Sequence, residues 1–222
     1  MSKILKAMLA VTMFIIICQP VSAHAINYAM EQAPTSEVWW YYGKLGYLHI
    51  LPYGLDHILF VIGLCLLSNN IKVIAYQATA FTIAHSITLA LSLKGLIAAP
   101  PAIVEPIIAL SIAFIAVENI MLKELKSWRV VVIFIFGLIH GMGFASSLNE
   151  IGLPRNQFIE SVAAFNVGVE IGQLSIIALV YGLLIRFFGQ RGWYRPRIVL
   201  PLSAVIALIA VFWTIERIVH MA

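Results

Sequence analysis

Six apolar runs follow one another from residue 46 onward, at 46–68, 72–95, 102–122, 129–149, 157–186 and 196–218. Each is long enough to cross a bilayer core as a helix, which takes about 20 residues. Hydrocarbon offers no partner to a backbone N–H or C=O, so a chain of such runs must satisfy those groups inside helices. The loops between the runs are short, which leaves nothing from which to build a separate soluble domain. Composition agrees: 11% of residues are charged, where a water-soluble domain carries about 25%. The expected fold is all-α, a polytopic membrane protein with six transmembrane helices in one bundle after an N-terminal signal peptide.

The chain divides into three parts. Residues 1–23 pair Lys3 and Lys6 with the apolar stretch Met8–Cys18 and end in Val21-Ser22-Ala23, the pattern of a secretory signal peptide. Cleavage after Ala23 would make His24 the new N-terminus, where amine and imidazole together can chelate a metal. Residues 24–45 read as a periplasmic segment whose aromatics, Trp39 to Tyr42, mark a membrane interface. Residues 46–222 form the six-helix domain. Only Cys18 and Cys65 are present, so no thiolate cluster is available for a zinc-finger type of site. The basic residues lie between apolar runs, which points to topology rather than nucleic acid. With the mature N-terminus outside, the inner side holds eight (Lys72, Lys123, Lys126, Arg129, Arg186, Arg191, Arg195, Arg197) and the outer side four (Lys44, Lys94, Arg155, Arg217). That is the bias expected of short loops.

The polar residues inside the spans carry the functional reading, because ionisable groups in hydrocarbon are costly. Counted inward from the outer face, Asp56, His57 and His85 lie about 15 Å deep, His140 about 14 Å, and Asn166 and Glu170 roughly 13–20 Å. Four helices therefore bring Asp56, His57, His85, His140 and Glu170 to one layer. His49 shares a face with Asp56 in an unbroken helix, a layer higher, as a gate or an interfacial residue. Pro52 and Gly54 between them offer a place for the helix to unwind. Gln173 extends the Asn166–Glu170 face. Glu105 reads as part of an outer funnel or a solvated cap. Glu118, about 24 Å deep, reads as an exit ligand or as the partner of an inner-loop base. Glu216, Arg217 and His220 read as a solvated end.

Imidazole with carboxylate suits Ni²⁺, Co²⁺, Zn²⁺, Fe²⁺ or Cu²⁺ rather than Ca²⁺ or Mg²⁺. Three neutral imidazoles with ionised Asp56 and Glu170 would match the charge of one such ion. Taken singly, each histidine also has a plain role as a hydrogen-bonded contact between helices.

The runs HILPYGLDHILF (49–60), TIAHSITLAL (82–91), VEPIIALSIAFIAVEN (104–119), GLIHGMGFASSL (137–148) and AAFNVGVEIGQL (163–174) together resemble the HupE/UreJ family, in particular its second, broader branch. The resemblance implies a signal peptide followed by six spans in a bacterial inner membrane. It also implies uptake of nickel or a related metal, linked in the first branch to hydrogenase and urease maturation. That branch spaces its first histidine five residues from Asp-His; here six residues separate His49 from Asp56.

The reading is a permease for a divalent transition metal, nickel first, with both termini periplasmic and transport ranked ahead of an enzyme activity, which stays open. Its partners are the bilayer and the metal ion, with a second copy of the chain or a metalloenzyme-maturation protein as further candidates. Two alternatives stand beside it: a membrane-embedded zinc-type metallohydrolase with Asp56 or Glu170 as base, and a metal-binding accessory or sensor without transport.

Overall fold

The computed structural model describes residues 27–221; the segment 1–23 and His24 lie outside the described residues. Every regular element described is helical. In chain order they are α1 (Tyr28–Glu31), α2 (Thr35–Ile50), α3 (Leu55–Leu66), α4 (Ile71–Leu93), α5 (Pro101–Met121), α6 (Arg129–Ile151), α7 (Phe158–Val180) and α8 (Leu200–Met221). A π-helical turn, Tyr181–Ile185, carries α7 on through Arg186–Phe188, and another, Arg195–Val199, leads into α8.

Local chemistry sets several boundaries. The Asn70 side chain caps α4 by accepting from the Lys72 N–H at 3.0 Å. Pro101 opens α5, where its missing N–H costs nothing and its fixed φ suits the first turn. Gly95 ends α4 with φ 68°. The Leu96 N–H reaches the Leu91 carbonyl at 3.0 Å and the Gly95 N–H reaches that of Ser92 at 2.9 Å, a Schellman cap that needs a residue free to turn left-handed.

Five helical stretches are long and apolar enough to cross a membrane, and α2 with α3 makes a sixth if the two count as one broken span. This is a multi-pass arrangement. Three helix pairs dominate the packing: α4 on α6, α2 on α7 and α5 on α8. Gly137 faces Phe81 and Gly141 faces His85, a constant offset of 56 residues, so α4 and α6 run parallel. Gly46 faces Phe165 and Gly172 faces Ile50, so α2 and α7 are parallel too. Arg217 reaches Glu105 and Arg195 reaches Ile120, so α5 and α8 are antiparallel. Successive long helices thus reverse direction. At the α2–α7 crossing a Cβ on Gly46 would land on the Phe165 carbonyl, and one on Gly168 on the Gly43 carbonyl. Only glycine lets the two backbones come this close.

The first span begins earlier than the expected 46–68, and it is broken at Pro52 and Gly54, where the sequence offers a place to unwind. The helix carrying His49 begins at Thr35, and Leu51–Gly54 breaks it; α3 leaves at 68° to α2. The aromatic segment is part of α2, with Tyr42 buried and Trp39, Trp40 and Tyr41 exposed. The sequence cause is Pro52 and Gly54 within four residues, since proline removes a helical donor and clashes with the preceding turn.

Candidate functional site

The break in the first span gathers the histidines. His49 sits in the last turn of α2 and His57 in the first turn of α3. Across the bend their ring centres are 4.7 Å apart. His85 on α4 lies 6.3 Å from His49 and 6.1 Å from His57. His140 on α6 lies 5.4 Å from His57. Four helices therefore deliver four imidazoles to one place. His49 belongs to this cluster rather than standing a layer above it: the expected depth assumed an unbroken helix, and the chain turns aside at Leu51.

The ring nitrogens are held open. His140 Nδ1 lies 2.8 Å from the Phe136 carbonyl, which fixes the proton on Nδ1 and leaves a lone pair on Nε2. His140 Nε2, His49 Nε2, His57 Nε2 and both nitrogens of His85 are buried without a protein partner. An unmatched buried polar atom typically costs about 1–3 kcal/mol, so five in one cluster is an unusual concentration. A backbone-bonded Nδ1 with a free Nε2 is the arrangement of a metal-ligating histidine.

The separations fit a shared ion in size. Two imidazoles on one tetrahedral ion, each bonded at about 2.0–2.1 Å, have ring centres about 5 Å apart. Yet among the described residues no three His, Cys, Asp or Glu side chains form a ready-made metal-binding group. The rings surround a space without closing on a point.

Phenylalanines enclose the cluster. Phe144 lies 3.8 Å from His49 with the rings tilted by 40°, Phe81 lies 4.8 Å from His140, and Phe60 lies 5.7 Å from His140. Sequence reasoning passed over these residues, although the signal was there. Phe81 precedes His85 by four residues, Phe144 follows His140 by four and Phe60 follows His57 by three, spacings that put each pair on one helix face. Behind His85, Gly141 lets α6 touch α4: a Cβ there would meet the His85 carbonyl and the Thr88 hydroxyl.

Three of the rings, His49, His57 and His140, line a cavity of about 350 Å³. Asp56, Glu105, Trp213 and Arg217 line it too, and Tyr53 and Leu55, both well exposed, stand at its mouth.

The sequence profile described as HupE / UreJ protein matches residues 24–217. The chain belongs to the HupE/UreJ family. Comparison with curated proteins and with solved structures finds no match. The stretch of this HupE/UreJ chain covered by the profile includes all four helices that carry the imidazoles.

The carboxylates have partners of their own. Arg217 Nη2 donates to both oxygens of Asp56, at 2.9 and 3.0 Å. Glu105 flanks the same guanidinium, with Oε2 3.7 Å from Nε. Arg217 is thus no solvated end; Glu216 and His220, its neighbours, are exposed as expected. Glu170 accepts from the Thr79 hydroxyl at 2.6 Å, one to two turns along α4 from His85. Gln173 Oε1 lies 3.3 Å from the Thr82 hydroxyl, and Asn166 Nδ2 donates to the Val162 carbonyl at 2.8 Å. Glu118 pairs with Arg129 at 3.3 Å, both buried, and Asn119 ties the pair to α3 by donating to the Gly63 carbonyl.

Proposed function

We propose that this HupE/UreJ protein is a permease for a divalent transition metal, nickel first and cobalt, zinc, iron or copper after it. The family is associated with accessory or transport roles for nickel and cobalt. The observation that carries the reading is the convergence of His49, His57, His85 and His140 from four helices, with five ring nitrogens free of protein partners. Neutral imidazole is a ligand for these ions. A ring of donors that does not close on a point suits cargo, because conduction needs binding weak enough to be undone. Polar groups flank the cluster on both sides: Asp56, Glu105 and Arg217 toward the cavity mouth, Glu170, Thr79 and Gln173 toward the other face. We place the protein in a bacterial inner membrane with both termini periplasmic. Inward movement of a dication down a 100 mV potential would then yield about 4.6 kcal/mol. A hydrolase would need a carboxylate free to act as base, and the two in the cavity, Asp56 and Glu105, are both held on Arg217.

Sealed vesicles carrying the protein, with the membrane potential imposed, provide the test. Wild type is expected to accumulate Ni²⁺ or Co²⁺, and His57→Ala and His140→Ala each to lower the rate about tenfold or more. Accumulation at the wild-type rate in the double variant would overturn the proposal.

A further inference from the structure

Among the described residues that line the imidazole cavity, Arg217 is the only lysine or arginine. It projects from the last helix, α8, which contributes none of the four histidines. Each of its three nitrogens is engaged: Nη2 with both oxygens of Asp56, Nη1 with the Glu105 carbonyl at 3.0 Å, and Nε toward the Glu105 carboxylate at 3.7 Å. The guanidinium thus joins α8 to α3 and α5 across the cavity wall. One turn earlier on α8, Trp213 also lines the cavity and offers its ring to the same guanidinium, 5.8 Å from its centre. A cationic side chain over an indole face keeps a favourable partner when it leaves a carboxylate.

We propose that Arg217 is the selectivity gate of this cavity. It neutralises the carboxylates at the mouth, and a cation reaches the imidazoles by taking them over. The inference rests on the permease reading for its cargo. Charge decides which ions succeed. Asp56 and Glu105 carry two negative charges and Arg217 one positive charge. A monovalent ion that replaces the guanidinium brings the same charge and loses the directed hydrogen bonds. A dication brings twice the charge to the same oxygens, and attraction scales with it. The released guanidinium rests on Trp213. The unpartnered Nε2 atoms of His57 and His140, both at least nine-tenths buried, lie on the same cavity beyond the gate.

The test uses the full chain with Cys18 and Cys65 replaced by alanine and a reporter thiol placed in the cavity wall by Ile108→Cys. Two quantities are read: the rate of labelling by a water-soluble thiol reagent without metal, and the Kd for Co²⁺. Arg217→Gln is expected to speed labelling and to lower the Co²⁺ Kd, each by about two- to fivefold, the weight of a partly exposed charged pair. Arg217→Lys keeps the charge without the three-nitrogen grip and is expected to fall between; it also guards against misreading a folding defect. Either quantity unchanged in Arg217→Gln overturns the gate. His140→Ala separates the two readings: it is expected to abolish Co²⁺ binding, and Arg217→Gln added to it is still expected to speed labelling over His140→Ala alone. If it binds Co²⁺ like the parent, the imidazole site fails while the labelling result still judges Arg217.

Discussion

Two arginine–carboxylate pairs sit at opposite ends of α5, and they differ in what surrounds them. Glu105 and Glu118 are 13 residues apart, about 20 Å along the helix. At one end Arg129 and Glu118 are closed into the packing, with side chains 1% and 4% exposed. At the other, Arg217 and Asp56 line a cavity and are 19% and 24% exposed. The same chemistry therefore does two jobs. A pair sealed among helices has no competitor for its partners and acts as a fixed joint. A pair at a cavity wall can be challenged by any ion that enters.

Stability measurements can break this comparison. Arg129→Ala leaves the Glu118 charge enclosed and uncompensated, so a loss of about 3–5 kcal/mol is expected, read as a fall in melting temperature in detergent. Replacing both Arg129 and Glu118 by apolar residues of similar volume should recover much of that loss. A single substitution at Arg129 that left the melting temperature unchanged would show the sealed end is not a joint. Tyr42→Phe supplies an intermediate ruler. Its hydroxyl donates to the Gly152 carbonyl at 2.7 Å within the packing, and removal is expected to cost about 1–2 kcal/mol. Arg217→Ala should be the smallest of the three, under about 1 kcal/mol, because solvent screens a partly exposed pair. If it destabilised the protein as much as Arg129→Ala, the cavity pair would be a joint as well.

Much of this architecture was legible in the residues. Apolar run length gave the later helices nearly to their ends, because a hydrocarbon environment leaves a chain few choices. Rise per residue put His57, His85 and His140 at one depth, and the His57 ring lies 6.1 Å from His85 and 5.4 Å from His140. Three things were not legible. His49 was set too high because a constant rise holds only while the helix is straight, and Pro52 with Gly54 marks a break without giving its angle. Asp56 was set at the histidines' depth without its partner, because Arg217 lies 161 residues away, a distance over which periodicity carries no information. Arg217 was read as solvated because a charged residue near a chain end usually is. The orientation count also shifts in meaning. Arg129 and Arg217 are committed to carboxylates, so the other basic residues number seven against three rather than eight against four, and the bias survives.

The 68° break in the first span bears on coordination as well as on shape. His85 and His140 ride on the close-packed pair α4–α6, so their separation is fixed by backbone contact at Gly137 and Gly141. His49 is carried by α2, which is packed on α7, while His57 belongs to α3, which leans on α5 and α7 and touches α2 little. The four donors thus comprise one close-packed pair and two singles, both resting on α7 and one of them on α5 as well. A slide of an ångström between those parts changes how many imidazoles an ion can bond at once. On the permease reading, denticity would be set by helix packing, so affinity for the ion and the arrangement of the bundle would not vary independently.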